Sequence, residues 1–215
     1  MVKWGFGHPG VTNLAEDLKL CAICHGGYSL SPRVVPGLGG ALAGELVLAE
    51  RIQVDAEGAS VLNDAPTGDD LVDDVLAGLI DRGETVRPST WIAGVGVGAS
   101  PYVHASLIAK RLVSATDDQR LTAAGERAPV RLEAVLTGSR EPDARIAVLA
   151  GLVSVCGLVE GLVPADAGDA PRVRAAALAT GDAVPAAARE SISAVLAAVA
   201  RATVGLGSPH VGQAA

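Results

Sequence analysis

Aromatic residues are nearly missing from this chain: two Trp, two Tyr and one Phe in 215 positions, or 2%. With so few rings, Ala, Val, Leu and Gly have to fill the interior, which favours closely approaching helices over a large aromatic-lined pocket. Cysteine is scarce too. Three residues, with no cationic leader followed by an apolar core, point to a reducing cytoplasm and not to a disulfide scaffold. Basic clusters are lacking: 17 Lys and Arg face 24 Asp and Glu, and the deficit lies in residues 1–110, with 7 cations against 13 carboxylates. A formal charge of -7 without a polybasic patch excludes nucleic acid as a partner and leaves little unspecific attraction to anionic membrane. Apolar residues are what is abundant. At 49% of the chain and a mean hydropathy of +0.37, they suffice for one sizeable core.

Apolar spacing is helical in most segments and strand-like runs are brief, so a mainly α fold is expected. The reading is a compact helical domain over residues 13–204 with one or two short β-hairpins in winged-helix-like units, a flexible arm at 1–12 and a frayed tail at 205–215. Asn13 caps a first helix through Cys24 that stops at Gly26-Gly27, and residues 28–36, with Pro32 and Pro36, read as loop. A second helix runs to about Ala49. Arg51 to Asp55 and Ala59 to Asn63 read as strands about Glu57-Gly58. Thr67 and Asp70 have capping-box spacing ahead of a third helix from Asp69 to Arg82. The glycines between Ala93 and Ser100 read as a connection to a helix from Pro101 to Val113, and Thr116 to Ala128 as a second hairpin. Pro142 and Asp143 open the apolar run from Ile146 to Val163, whose length of about 18 residues sits at the lower limit for a membrane span. With Arg145 at one end and Glu160 near the other, it reads as a buried core helix. Pro171 and Pro185 introduce two last helices that end near Val204.

Three motifs suggest chemistry. Cys21-Ala22-Ile23-Cys24-His25 has the spacing of c-type haem attachment, but no export signal precedes it and the only Met is Met1. Two cysteines three apart on a helix read instead as small side chains sharing a buried face. Zinc would need a fourth ligand beyond Cys21, Cys24 and His25 or His8, and no second Cys pair supplies it. Gly94-Val95-Gly96-Val97-Gly98-Ala99 fits a dinucleotide turn with Asp117 beyond it, yet no buried strand precedes it, so it reads as a flexible connection. The carboxylates of Asp69, Asp70, Asp73 and Asp74 complement the dipole of the third helix. No metal or cofactor is called for.

A resemblance rests on two motifs in order. Glu45-Leu46-Val47-Leu48-Ala49-Glu50-Arg51-Ile52 closes the second helix, and Asp64-Ala65-Pro66-Thr67-Gly68-Asp69 opens the third after the strand pair. At this separation they resemble the Golgi phosphoprotein 3 family, with looser similarity from Leu14-Ala15-Glu16-Asp17-Leu18 to about Val199. The resemblance implies a peripheral membrane protein that binds phosphatidylinositol 4-phosphate, and no enzyme. In the lipid-reading members a Trp and three Arg hold the headgroup, since guanidinium gives a phosphate monoester charge-assisted bonds. Matched residue by residue, the Trp falls on Leu30, the first Arg on Gly39, and the later two on Tyr102 and Ala105. The headgroup site is therefore expected to be degraded. Arg33, His104, Lys110 and Arg111 stand nearby as candidates to rebuild part of it, or else as a solvated loop and helix surface. Trp4 and Phe6 in the N-terminal arm would either insert at a membrane interface or pack back on the body. The alternative is a soluble protein-interaction or regulatory module that keeps the fold without lipid binding. Either way a cytoplasmic location is expected, at the inner face of the membrane if lipid is bound.

Overall fold

The computed structural model describes residues 11–26, 32–83, 86–115 and 120–204. Eight α-helices and one small antiparallel hairpin make it mainly helical, as the spacing predicted. In chain order these are α1 (Leu14–Gly26), α2 (Val34–Leu48), β1 (Ile52–Val54), β2 (Ala59–Val61), α3 (Asp70–Arg82), α4 (Pro88–Ala109), α5 (Arg127–Leu136), α6 (Ala144–Cys156), α7 (Ala170–Leu178) and α8 (Ala186–Val204). Their buried side chains form one continuous cluster.

α1 begins with a reciprocal capping box: Asn13 Oδ1 accepts from the Glu16 amide at 3.0 Å, and Glu16 Oε2 accepts from the Asn13 amide at 2.9 Å. α2 is apolar on every side and buried on nearly every side, as a central helix should be. It packs against α1, α3, α4, α6, α8 and β1. It also starts earlier than expected, at Val34, because Pro36 falls in the first turn, where no amide is needed. Asp69 caps α3 by accepting from the amides of Leu71 and Val72, both at 3.1 Å. Thr67 is therefore not the cap; its amide and hydroxyl both donate to Asp73 Oδ1.

The largest correction concerns α4. Residues 93–100 are not a connection but the middle of a 22-residue helix that begins with Pro88 at its first turn and passes through Pro101. Gly96 holds it together with α2, since a Cβ there would lie 2.0 Å from the carbonyl oxygen of Val35, and one at Gly39 would lie 2.0 Å from that of Ile92. The two backbones touch, and this contact outweighs the breaking tendency of glycine. Pro101 has no N–H to offer the Val97 carbonyl, and both residues are on the exposed side of the helix. α4 alone among the described helices is long and apolar enough for a membrane span, yet only 28% of its most apolar stretch is buried.

Thr116 to Ala128 is likewise not a hairpin of strands. Val113 forms a single bridge with Leu121 around residues 116–119, which lie outside the described residues, and from Arg127 the chain is helical as α5. The run from Ile146 is a core helix, but α6 stops at Cys156 because Gly157 turns left-handed, φ 71°. At 13 residues it is too short to span a membrane. α7 and α8 follow as expected. Of the arm expected at 1–12 only residues 11 and 12 are described, and the tail expected at 205–215 lies outside the described residues.

Candidate functional site

The two motifs that carry the resemblance meet at one junction. Glu45, on the last full turn of α2, accepts from the Leu14 amide at 2.7 Å, so the second helix caps the first. Arg145, at the start of α6, donates to Asp17 at 3.2 Å and to the Thr12 carbonyl at 2.9 Å, and pairs with Glu45 at 3.1 Å. Asn13 reaches Asp69, the cap of α3, at 3.1 Å. Three helix N-termini and the end of α2 are thus fastened together around a cleft of about 470 Å³ lined by Asn13, Glu45, Thr67, Asp69 and Arg145. Burial pushes the carboxyls of Asp17 and Glu45 above their ordinary values, with Arg145 opposing it. Most polar groups here have partners in the scaffold, with Asp17 Oδ1 buried without a hydrogen bond, so the motifs build the fold.

The positions that resemblance assigns to a headgroup are scattered. Leu30 lies outside the described residues. Gly39 is buried against α4, with no surface to offer a ligand. Tyr102 and Ala105 are exposed on α4, whose outer side also presents Gly94, Val97, Gly98 and Pro101 and carries no charge. Arg33 is exposed just ahead of α2, and His104 is half-buried on the side of α4 that faces α1. Lys110 is not on the surface. Its side chain is 5% exposed and its ammonium donates to both oxygens of Glu16 at 2.8 Å and to the Val11 carbonyl at 2.8 Å, while Glu16, its side chain 1% exposed, also accepts from Ser106 at 2.6 Å. Arg111 alone of that pair reaches solvent.

The cysteines separate as well. Cys21 is fully buried, but Cys24 is exposed, so they do not share a face as the three-residue spacing suggested. A cysteine with no accessible surface cannot meet a porphyrin vinyl group, which removes the haem reading. Partial burial, then the carboxylates of Glu126 and Glu133, hold the Cys24 thiol above its ordinary pKa, unsuited to metal ligation at neutral pH. Glycines 94, 96 and 98 lie inside a helix, so they form no dinucleotide turn.

Sequence reasoning passed over Lys19. It is 4% exposed on α1, has no hydrogen-bonded or ionic partner among the described residues, and burial lowers its pKa to about 8 from 10.5. His104 is lowered by burial and by this ammonium. Below pH 8 both folded and unfolded chains hold the proton, and the cost of burying the charge is fully present. Between pH 8 and 10.5 the unfolded chain binds more protons, so stability rises with pH. Allowing for solvent at the ammonium, the cost is about 2 to 3 kcal/mol. Lys19→Met is expected to recover it in urea unfolding at pH 7 and to show no advantage at pH 10.5; an equal gain at both pH values would refute the assignment.

A family model described as Golgi phosphoprotein 3 (GPP34) matches residues 14–195. No curated protein matches the chain.

Proposed function

The chain belongs to the Golgi phosphoprotein 3 family, and from that premise we propose that it is a peripheral membrane-surface protein whose phosphatidylinositol 4-phosphate site has decayed. The observation behind this reading is the outer face of α4: Gly94, Val97, Gly98, Pro101, Tyr102 and Ala105 form an uncharged, largely exposed stripe in the place where later headgroup arginines would stand. Such a face suits shallow contact with the headgroup region and offers a phosphate no cation. Losing hydrogen bonds to charged groups, at about 1.5 to 3 kcal/mol each, leaves Arg33 and His104 too little to restore selectivity. The protein acts by binding and not by catalysis, in keeping with a family not known for enzymes, and its place is the cytoplasm at the inner face of the membrane. A second reading, a protein-interaction module that no longer binds lipid, draws on the acidic surface of residues 51–83, which anionic membrane repels.

Co-sedimentation with vesicles tests this. Weak binding is expected, equal on phosphatidylcholine vesicles with and without phosphatidylinositol 4-phosphate, insensitive to salt, and lost in Val97→Glu. Tight, salt-sensitive binding that requires the phosphorylated lipid and disappears in Arg33→Ala would restore the headgroup reading. Failure to bind any vesicle would favour the interaction module.

A further inference from the structure

Between α3 and α4 lies a crevice of about 160 Å³, lined by Asp74, Gly78 and Arg82 from one helix and by Trp91, Val95 and Gly98 from the other. Two glycines keep its middle open, since a Cβ at Gly78 or Gly98 would meet nothing within 4 Å. The charges at its ends are unspent. Neither Asp74 nor Arg82 has a hydrogen-bonded or ionic side-chain partner among the described residues, and Asp74 Oδ2 is shut off from solvent without a hydrogen bond. Partial burial, then the carboxylates of Asp70 and Asp73, raise the Asp74 pKa, so this anion lacks compensation. Arg82, exposed and two turns on, about 12 Å along the helix axis, presents the opposite sign.

A ligand that suits both ends is a small zwitterion, with an ammonium at Asp74, anionic oxygens at Arg82 and a short apolar link between the glycines. The volume agrees, because sites for drug-sized molecules begin near about 300 Å³. The surroundings select further. Residues 51–83 hold eight carboxylates against two arginines, so a headgroup of net negative charge is repelled where a zwitterion is not. Gly98 belongs both to the crevice and to the uncharged outer stripe of α4, so the crevice adjoins the face assigned to the membrane.

We propose that this crevice binds the phosphoethanolamine headgroup of a membrane phospholipid, a choice of source that rests on the membrane-surface reading above. A primary ammonium brings three N–H donors to a carboxylate that lacks them, whereas the trimethylammonium of choline brings none. The phosphate diester carries a single charge, which one guanidinium answers. That guanidinium stands at the end of α3, apart from the α4 positions where the family's arginines would be. One headgroup held this way adds lipid selectivity to the shallow contact of α4 and does not replace it.

Two measurements on the full chain decide. In co-sedimentation, replacing half of the phosphatidylcholine by phosphatidylethanolamine is expected to raise binding about fivefold, the worth of one hydrogen bond to a charged group. Asp74→Asn, and Gly78→Leu, which puts a side chain into the crevice from an exposed position, should each return binding to the phosphatidylcholine level. No gain with phosphatidylethanolamine, or the same gain in both variants, overturns the inference and leaves the membrane-surface reading standing. In solution the crevice is tested even if no vesicle is bound. Glycerophosphoethanolamine should shift the emission of Trp91, made the sole indole by Trp4→Phe, and glycerophosphocholine at the same concentration should not. An equal response to both, or one that survives Gly78→Leu, overturns the inference. So does an equal response to free glycine, which would assign the crevice to soluble zwitterions.

Discussion

Gly39→Ala is expected to destabilise the protein by about 4 kcal/mol, the upper end of what overpacking costs, because the added methyl meets backbone. The Ile92 carbonyl would lie 2.0 Å from the new Cβ and the Gly96 amide nitrogen 2.9 Å. No rotamer relieves such a clash, so α2 and α4 must separate along the line where their burial is most complete. Gly98→Ala, at an exposed position of the partner helix α4, is the control. Its Cβ would meet nothing within 4 Å, and replacing an exposed helical glycine should stabilise by about 0.5 to 1 kcal/mol. Urea unfolding of both variants separates a close helix crossing from mere helix propensity; equal effects would refute the crossing. Gly39→Arg follows the same logic. Putting back the cation that lipid-reading relatives carry would break the fold and not rebuild a phosphate site.

Lys110→Met is expected to cost about 3 to 5 kcal/mol, the range for stranding one member of a buried ion pair. Glu16 would keep the Ser106 hydroxyl and the Asn13 amide but lose both charge-assisted bonds in a place that water does not reach. Much of the cost is the orphaned carboxylate. The double variant Glu16→Gln/Lys110→Met should therefore recover at least half of it, and a double-variant cycle measured by denaturant unfolding checks this. If Lys110→Met lost less than 1 kcal/mol, the pair would be a solvated surface bridge after all.

Local chemistry made most elements legible. Asn13, the Thr67-Asp70 spacing, Asp143 and the prolines that open α7 and α8 are start signals that act locally, and they placed five helices, although at α3 the cap is Asp69 and not Thr67. What stayed hidden depends on distant residues. Glycine in 93–100 breaks an isolated helix, yet here it admits the backbone of α2, and nothing within that stretch announces a partner more than fifty positions away. α5 was missed because its buried face rests on only Pro129, Leu132, Val135 and Leu136 among charged neighbours. Lys110 looked solvated for the same reason that Lys19 went unremarked: a lone cation in a sequence does not say which carboxylate, if any, the fold will bring to it. The motifs that carry the family resemblance were easy to find and turned out to be fastenings, so their recognition identified a scaffold and not a ligand.

Because α2 touches six other elements, the molecule's cooperativity is uneven. The central helix cannot loosen without loosening α1, α4, α6 and α8 with it, so those amides should open only in global unfolding. α3 is different. It is pinned at its first turn through Asp69, buries only Leu71, Val72, Leu76 and Leu79, and touches its neighbours lightly. It is therefore expected to form a separate, weaker foldon that opens from its far end while the rest stays native. The same segment concentrates the carboxylates, so dilution of salt strengthens their mutual repulsion and lowers the free energy of this partial opening more than that of complete unfolding. Ionic strength thus selects which part of the protein breathes.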